Sequence, residues 1–317
     1  MIGILVKFLI GSLILILSTQ LLVIYAKKTS IALKISPLII GLTIIAIGTS
    51  LPELSISLTA IYKQDVGMAM GNIVGSNIIN ILFVFGVGIL IGKLKVGTSK
   101  TQKNSIFLLA STLIFVILQL TNIPAQTSGI ILIVMAIIIT IVGYLMGING
   151  RENEDKNMFV NNQKVKIEPF ILIMPIILIA GVISGSLIVV SSAEEFSILT
   201  AISTTVVGLS LTAITTSLPE LLTTIFSQKD HQGKLTLGNI LGSNIYNVLL
   251  IGGLVNLLYG RNGIATKNWI FLIATTFFFV FILNKFSGKT IPKIYGVILL
   301  VAFLLYLATL GWQPSIV

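Results

Sequence analysis

The feature that most constrains this chain is a succession of ten apolar runs, each about as long as a membrane is thick, separated by short polar breaks. They lie near residues 2–26, 35–62, 66–92, 104–121, 127–147, 168–191, 198–227, 235–259, 268–285 and 290–313. A helix needs roughly 20 apolar residues to cross the hydrocarbon core. A helix also satisfies its own backbone hydrogen bonds, which hydrocarbon demands. Composition agrees: 55% of the 317 residues are hydrophobic and 9% are charged, against about 25% charged in a soluble domain. The runs are continuous rather than alternating, which excludes a membrane β-barrel. The expected fold class is therefore all-α: a polytopic membrane protein with ten transmembrane helices. The stretch from Met1 to about Ala26 is too long for a signal-peptide core and lacks a small-residue cleavage site, so it reads as the first span.

Several functions drop out early. The chain has no cysteine, which removes disulfides, thiol catalysis and zinc–thiolate sites. Its one histidine, His231, lies in a polar break beside Asp230 and cannot make a histidine-rich metal centre. The net charge of +10 is scattered over short breaks, a topology signal rather than a nucleic-acid surface. Of the 20 Lys and Arg, only Lys63, Arg261 and Lys267 fall in the breaks after even-numbered spans, and Lys7 falls inside the first span; the other sixteen follow odd-numbered spans. That bias predicts a cell-membrane protein with a cytoplasmic central linker and both termini outside.

The chain also repeats itself. Gly41-Leu-Thr-Ile-Ile-Ala-Ile-Gly-Thr-Ser-Leu-Pro-Glu-Leu54 matches Gly208-Leu-Ser-Leu-Thr-Ala-Ile-Thr-Thr-Ser-Leu-Pro-Glu-Leu221. Gly71-Asn-Ile-Val-Gly-Ser-Asn-Ile-Ile-Asn-Ile81 matches Gly238-Asn-Ile-Leu-Gly-Ser-Asn-Ile-Tyr-Asn-Val248. One offset of 167 residues separates 41 from 208 and 71 from 238. The predicted organisation is a five-helix repeat over 1–147, a polar linker over 148–167 and a second five-helix repeat over 168–317. Five is odd, so the second repeat enters the membrane from the opposite side. Two inverted five-helix repeats are the architecture of secondary transporters that alternate access around a midplane site.

Eight of the ten acidic residues lie in or beside predicted breaks; Glu53 and Glu220 sit deep inside the second and seventh spans at equivalent positions. A carboxylate there costs at least ~2.5–3.5 kcal/mol on insertion scales, so it faces a bundle interior or an aqueous cavity. A protonated glutamate bonding a neighbouring helix is the plain alternative, but no intramembrane Lys or Arg is placed as a partner and the residue occurs twice. Pro52 and Pro219 precede the glutamates and free the carbonyls four residues earlier, Gly48 and Thr215. Thr49, Ser50, Thr216 and Ser217 add hydroxyl oxygens in the same turn. A simple proline kink would be the reading of either proline alone.

In the second block Gly71 and Gly75, like Gly238 and Gly242, make small-residue stripes that let helices approach. Asn72, Ser76 and Asn80 share one helical face, as do Asn239, Ser243 and Asn247. Such a stripe can bond adjacent helices or ligate an ion. Asn77 and Asn244 lie off it and read as structural. Together the blocks supply carboxylate, amide, hydroxyl and carbonyl oxygens, the ligand chemistry of a hard cation such as Ca2+. Two carboxylates are neutralised by one Ca2+, two Na+ or two protons, which is the logic of obligatory exchange.

These paired blocks resemble the α-repeats of the cation/Ca2+ exchanger superfamily, with the prokaryotic Na+/Ca2+ exchangers most similar. The resemblance implies that Glu53 and Glu220 bind Ca2+ and share Na+ sites. It implies that Thr49, Ser50, Thr216 and Ser217 are ligands on proline-broken helices and that Ala46 and Ala213 offer carbonyls. Ser76 and Ser243 match the hydroxyl ligands of the third and eighth helices, and Asn80 and Asn247 fall at the remaining central positions. It further implies that the first and sixth helices slide against the rest. Relatives often carry an aspartate at one of the positions held here by Asn80 and Asn247, so this site has two carboxylates where theirs has three.

The expected activity is Ca2+/Na+ antiport without a cofactor, by a chain that works as a monomer in the lipid bilayer and binds no nucleic acid. Ca2+/H+ exchange, or exchange involving K+, is the alternative within this class; a cation channel is the alternative outside it. An intramembrane enzyme is disfavoured, because no His-Glu-x-x-His, aspartate pair or histidine-activated serine is present in the membrane runs.

Overall fold

The computed structural model describes residues 2–32, 46–62, 64–149, 169–200, 204–260 and 264–310. Within them the chain is helical almost throughout, in ten successive runs. The first span is Ile2–Ala32. The second is described from its short helix Ala46–Thr49 and continues as Leu51–Tyr62. The third runs Val66–Ile79, through a π-helical turn at Asn80–Phe85, into Gly86–Ile91. Ser99–Leu120 and Ala125–Asn149 are the fourth and fifth. The sixth is Pro169–Thr200. The seventh comprises Thr204–Val207, a π turn at Gly208–Thr212, Ala213–Thr216 and Leu218–Lys229. The eighth is Gly233–Tyr246, a π turn at Asn247–Ile251 and Gly252–Leu258. Thr266–Lys285 and Lys293–Leu310 complete the set.

Ten spans match the sequence reading, with shifts at their ends. The first helix runs on to Ala32, carrying Lys28 over the Tyr25 ring at 4.9 Å. The sixth runs on to Thr200 and carries Glu195, whose carboxylate accepts from Lys7 Nζ at 2.8 Å. Both extensions continue past the apolar segment because a helix end that reaches the interface can solvate its charges. The residues 33–45 of the second span and most of the 148–167 linker lie outside the described residues.

Burial ranks the spans. The third and eighth have 83% of their apolar window enclosed, and no other complete span exceeds 50%. They form the centre, and glycine makes it tight: a Cβ on Gly75 would sit 2.7 Å from Leu209 O and 2.8 Å from the Ala213 Cβ. The seventh span therefore lies directly on the glycine face of the third. Outside, the first, fifth and tenth spans turn Leu9, Leu13, Ile137, Ile138, Leu304 and Leu305 outward, each more than half exposed. So continuous an apolar surface is stable against lipid and not against water.

The first and sixth spans pair with each other. Gly11 and Gly185 interlock: a Cβ on Gly185 would lie 2.7 Å from Leu15 N and 2.9 Å from Gly11 O. Leu15, Leu22, Leu178 and Val182 form a small core of their own, with Leu218 and Leu222 of the seventh span packed on it. This separate cluster is the sort of seam along which two packed bodies can shift.

Candidate ion-binding site

The site grows from a local pattern that the fold overrides. Ser50-Leu-Pro-Glu53 and Ser217-Leu-Pro-Glu220 have the spacing of a capping box, in which Ser and Glu close on each other's backbone at a helix start. Both serines do stand at breaks: Ser50 N donates to Ala46 O at 3.1 Å, Ser217 N to Ala213 O at 3.0 Å, and a new helix begins at the next residue. The prolines thus lie in the first turn of that new helix, where a missing N–H costs nothing. They do not kink a continuous one. In the second repeat the two pieces are bent by 42°.

The box itself stays open. Ser217 makes no side-chain cap bond and its hydroxyl has no partner. Ser50 Oγ reaches across to the other repeat and donates to Glu220 Oε1 at 3.5 Å. The glutamates face the centre of the molecule instead of their own helix ends, and each is fully buried.

Around them the repeats brace each other reciprocally. Thr49 Oγ1 contacts Asn239 Oδ1 at 3.2 Å and Ser243 Oγ at 3.4 Å. Thr216 Oγ1 contacts Asn72 Oδ1 at 3.3 Å and Ser76 Oγ at 3.2 Å. Each threonine also approaches the alanine carbonyl three residues back, Ala46 O at 3.4 Å and Ala213 O at 3.3 Å. The offset of 167 relates each residue of one set to its counterpart in the other, added for Thr49 and Ala46 and subtracted for Asn239 and Ser243, so the contacts exchange halves, as a two-fold axis between repeats requires.

Counting protons shows an excess of acceptors. A threonine hydroxyl has one hydrogen and faces three oxygens in each half, so lone pairs outnumber protons. Three of the four carboxylate oxygens, Glu53 Oε1, Glu53 Oε2 and Glu220 Oε2, are buried without a partner. Both amide atoms of Asn80 and of Asn247 are likewise buried and unpartnered. Among the described residues, the glutamates have no ion-pair partner, the one salt bridge being Lys7–Glu195. Orphaned buried oxygens are costly. Carboxylate, amide and hydroxyl oxygens left over in this way are the donor chemistry of a hard cation.

Of the site residues named from the sequence, contacts join Thr49, Ser50, Ser76, Thr216, Ser243, Glu220, Ala46 and Ala213, whereas Ser217, Asn80 and Asn247 are buried with unpartnered side-chain atoms. Ala46 O and Ala213 O already accept a backbone N–H and a threonine hydroxyl. Asn77 and Asn244 bond their own helix, to Ile73 O at 2.8 Å and Ile240 O at 2.7 Å, as expected for structural residues. Asn80 and Asn247 each open a π turn, where an inserted residue redirects the helix and leaves backbone groups unpaired. The sequence reading missed the roles of Asn72 and Ser57. Asn72 Nδ2 donates to Glu53 O at 3.1 Å and to Ser57 Oγ at 3.2 Å, tying down the backbone of the first glutamate. The signal was a hydroxyl one turn after each glutamate, at Ser57 and Thr224.

The repeats are not equal. Glu220 Oε1 accepts from Ser243 Oγ at 3.0 Å as well as from Ser50, whereas Glu53 has neither bond. Asn239, the counterpart of Asn72, leaves its Nδ2 unpartnered. Glu220 Oε1 is held by two hydroxyls, whereas for Glu53 it is the backbone carbonyl that is tied, by Asn72.

Residues 3–146 and 170–312 match the family described as sodium/calcium exchanger protein. The chain belongs to that family. It is 30% identical to an uncharacterized membrane protein of Methanocaldococcus jannaschii over 96% of both chains. It is 28% identical to the sodium/calcium exchanger MaX1 of Methanosarcina acetivorans, over 95% of this chain and 97% of that one. Among solved structures, the sodium-calcium exchanger NCX_Mj soaked with 2.5 mM Na+ and 10 mM Sr2+ superposes with a TM-score of 0.81 at 28% identity, covering 97% of this chain and 99% of that one. The same exchanger soaked without Na+ or Ca2+ gives 0.78. This chain is accordingly a multi-pass membrane protein with the exchanger fold of ten helices in two inverted repeats, and it belongs to a family of transporters rather than enzymes.

Proposed function

We propose that this protein is a secondary-active antiporter that exchanges Ca2+ for Na+ by alternating access at the Glu53–Glu220 site. The observation that carries the reading is the pair of fully buried glutamates with three oxygens unpartnered and, among the described residues, no basic residue paired to them. Such a pair is stable only when loaded. One Ca2+ or two Na+ supply the missing charge, and the surrounding hydroxyl, amide and carbonyl oxygens complete a flexible hard-ion shell. Thr49, Ser50, Ser76, Thr216, Ser217, Ser243, Asn80 and Asn247 are its ligands, beside the carbonyls of Ala46 and Ala213. An empty site keeps two uncompensated charges in the membrane, so the carrier crosses only when occupied. The relatives named as sodium/calcium exchangers support this choice of ions.

The chain lies in the cell membrane with its linker cytoplasmic and both termini outside, and it works as a monomer. Exchange proceeds as the first and sixth spans slide along the seam they make with the seventh. Liposomes containing the purified protein, loaded with Na+ and diluted into Na+-free medium, take up 45Ca2+; replacing internal Na+ by choline removes the uptake. Uptake driven instead by a proton or K+ gradient would reassign the counter-ion, and single-channel currents would replace the antiporter by a channel.

A further inference from the structure

Hydroxyls in these helices usually satisfy themselves. Ser111, Thr140, Ser184, Ser192, Ser210, Thr215 and Thr275 each donate to the carbonyl four residues back, the ordinary fate of Ser and Thr inside a helix. The helix Leu218–Lys229 departs from this rule. Thr223, Thr224 and Ser227 are all fully buried, and none of their hydroxyls has a partner. Thr19 and Thr112 are orphaned too, but among the described residues each is the sole such hydroxyl on its helix.

Three orphans on one helix follow Glu220 at intervals of three, four and seven residues and share its face. Gln228 continues the line at the eighth, buried and donating from Nε2 to Thr236 Oγ1 at 2.8 Å. The file spans about 12 Å at 1.5 Å per residue and ends beside the exposed Lys229 and Asp230. Opposite it, the third span presents glycine: a Cβ on Gly88 would lie 2.9 Å from the Thr224 methyl. The unpartnered Nδ2 of Asn239 adds another orphan from the eighth span.

The first repeat has no such file. Its corresponding residues are Ile56, Ser57, Ala60 and Ile61. Ile56 and Ala60 are buried, Ala60 within the main apolar core, and the single hydroxyl, Ser57, is engaged by Asn72. The asymmetry is therefore built of residue identity as well as hydrogen bonding.

We propose that the face Thr223–Thr224–Ser227–Gln228 is a one-sided hydrated path by which cations and their water reach Glu220 from the membrane face where Lys229 lies, with no counterpart leading to Glu53. Buried orphan hydroxyls call for water or an ion as partner, and neutral oxygens let a hydrated cation pass without trapping it. The path deepens the antiport reading and rests on it for the ions it carries.

Because the chain has no cysteine, single cysteines report directly. In liposomes with Na+ and Ca2+ on both sides, Ser227→Cys is modified by a membrane-impermeant methanethiosulfonate added to the Lys229 side, whereas its first-repeat counterpart Ala60→Cys stays unmodified from either side. An unreactive Ser227→Cys, or an Ala60→Cys that reacts as fast, overturns the proposal. The paired change Thr223→Val and Thr224→Val keeps side-chain shape and lowers Na+-driven Ca2+ uptake about tenfold; Thr224→Ser restores the path. Uptake unchanged in the double valine variant also overturns it. Should the unsubstituted protein show no exchange while the cysteine pattern holds, the path stands and the antiport reading falls.

Discussion

Glu53 and Glu220 occupy equivalent positions but hold their charges differently. Glu220 is fixed by Ser243 and Ser50, whereas Glu53 has two free oxygens on a backbone tied by Asn72. Either carboxylate is indispensable for a divalent ion, since removing one leaves a single negative charge for two positive ones. Glu53→Gln and Glu220→Gln are each expected to lower Na+-driven 45Ca2+ uptake by at least about a hundredfold, as a buried charge pair is worth several kcal/mol. Both variants should still elute from size exclusion as folded protein, because the substitution keeps shape. Surviving transport in either would place the ion elsewhere. These two residues were legible in the sequence because the membrane makes an acidic residue conspicuous, and repetition made it conspicuous twice. What the sequence could not convey was their inequivalence. Ser50 and Ser217 are the same residue in the same pattern, yet one reaches across the repeat and the other stays unpartnered. That difference arises from packing between halves, which no local spacing encodes.

At the level of elements, the site depends on how closely the seventh span lies on the third. Gly75 sets that distance, with its missing Cβ replaced by Leu209 O and the Ala213 side chain. Gly75→Ala forces a methyl into backbone, a type of overpacking that costs roughly 1–3 kcal/mol. The expected result is a thermal transition lower by several degrees in detergent, together with reduced uptake, because Ala213 and Thr216 move with the seventh span. Gly143→Ala is the matched control: nothing lies within 4 Å of its added methyl, and its transition should hold or rise slightly. The small-residue stripe at Gly71 and Gly75 was readable as a packing face. Its partner was not, because one glycine stripe fits any helix of suitable shape. The π turns at Asn80, Gly208 and Asn247 were equally invisible, since an inserted residue leaves the apolar pattern unbroken. Span ends shifted for a simpler reason: helices such as Ile2–Ala32 outlast the hydrocarbon, and hydropathy marks only where the hydrocarbon ends.

For the whole molecule the decisive quantity is the charge that crosses the membrane in each half of the cycle. Asn80 and Asn247 are neutral, buried and unpartnered amides, so on the proposed reading the site offers the two carboxylates of Glu53 and Glu220 and no third. One Ca2+ cancels them, and so do two Na+; a third Na+ would leave the moving body with an excess charge in low dielectric, which the membrane penalises. Exchange of one Ca2+ for two Na+ moves no net charge, and a membrane potential worth about 2.3 kcal/mol per charge per 100 mV then has nothing to act on. Clamping liposomes with K+ and valinomycin should therefore leave the Na+/Ca2+ ratio at zero net flux unchanged between inside-negative and inside-positive potentials. Asn247→Asp supplies the missing charge. If the amide is what limits the load, that variant gains a requirement for one further monovalent cation, and its zero-flux ratio shifts with potential. A voltage-dependent ratio in the unsubstituted protein would mean that a charge outside Glu53 and Glu220 travels with the ions, and the two-carboxylate account of coupling would fail.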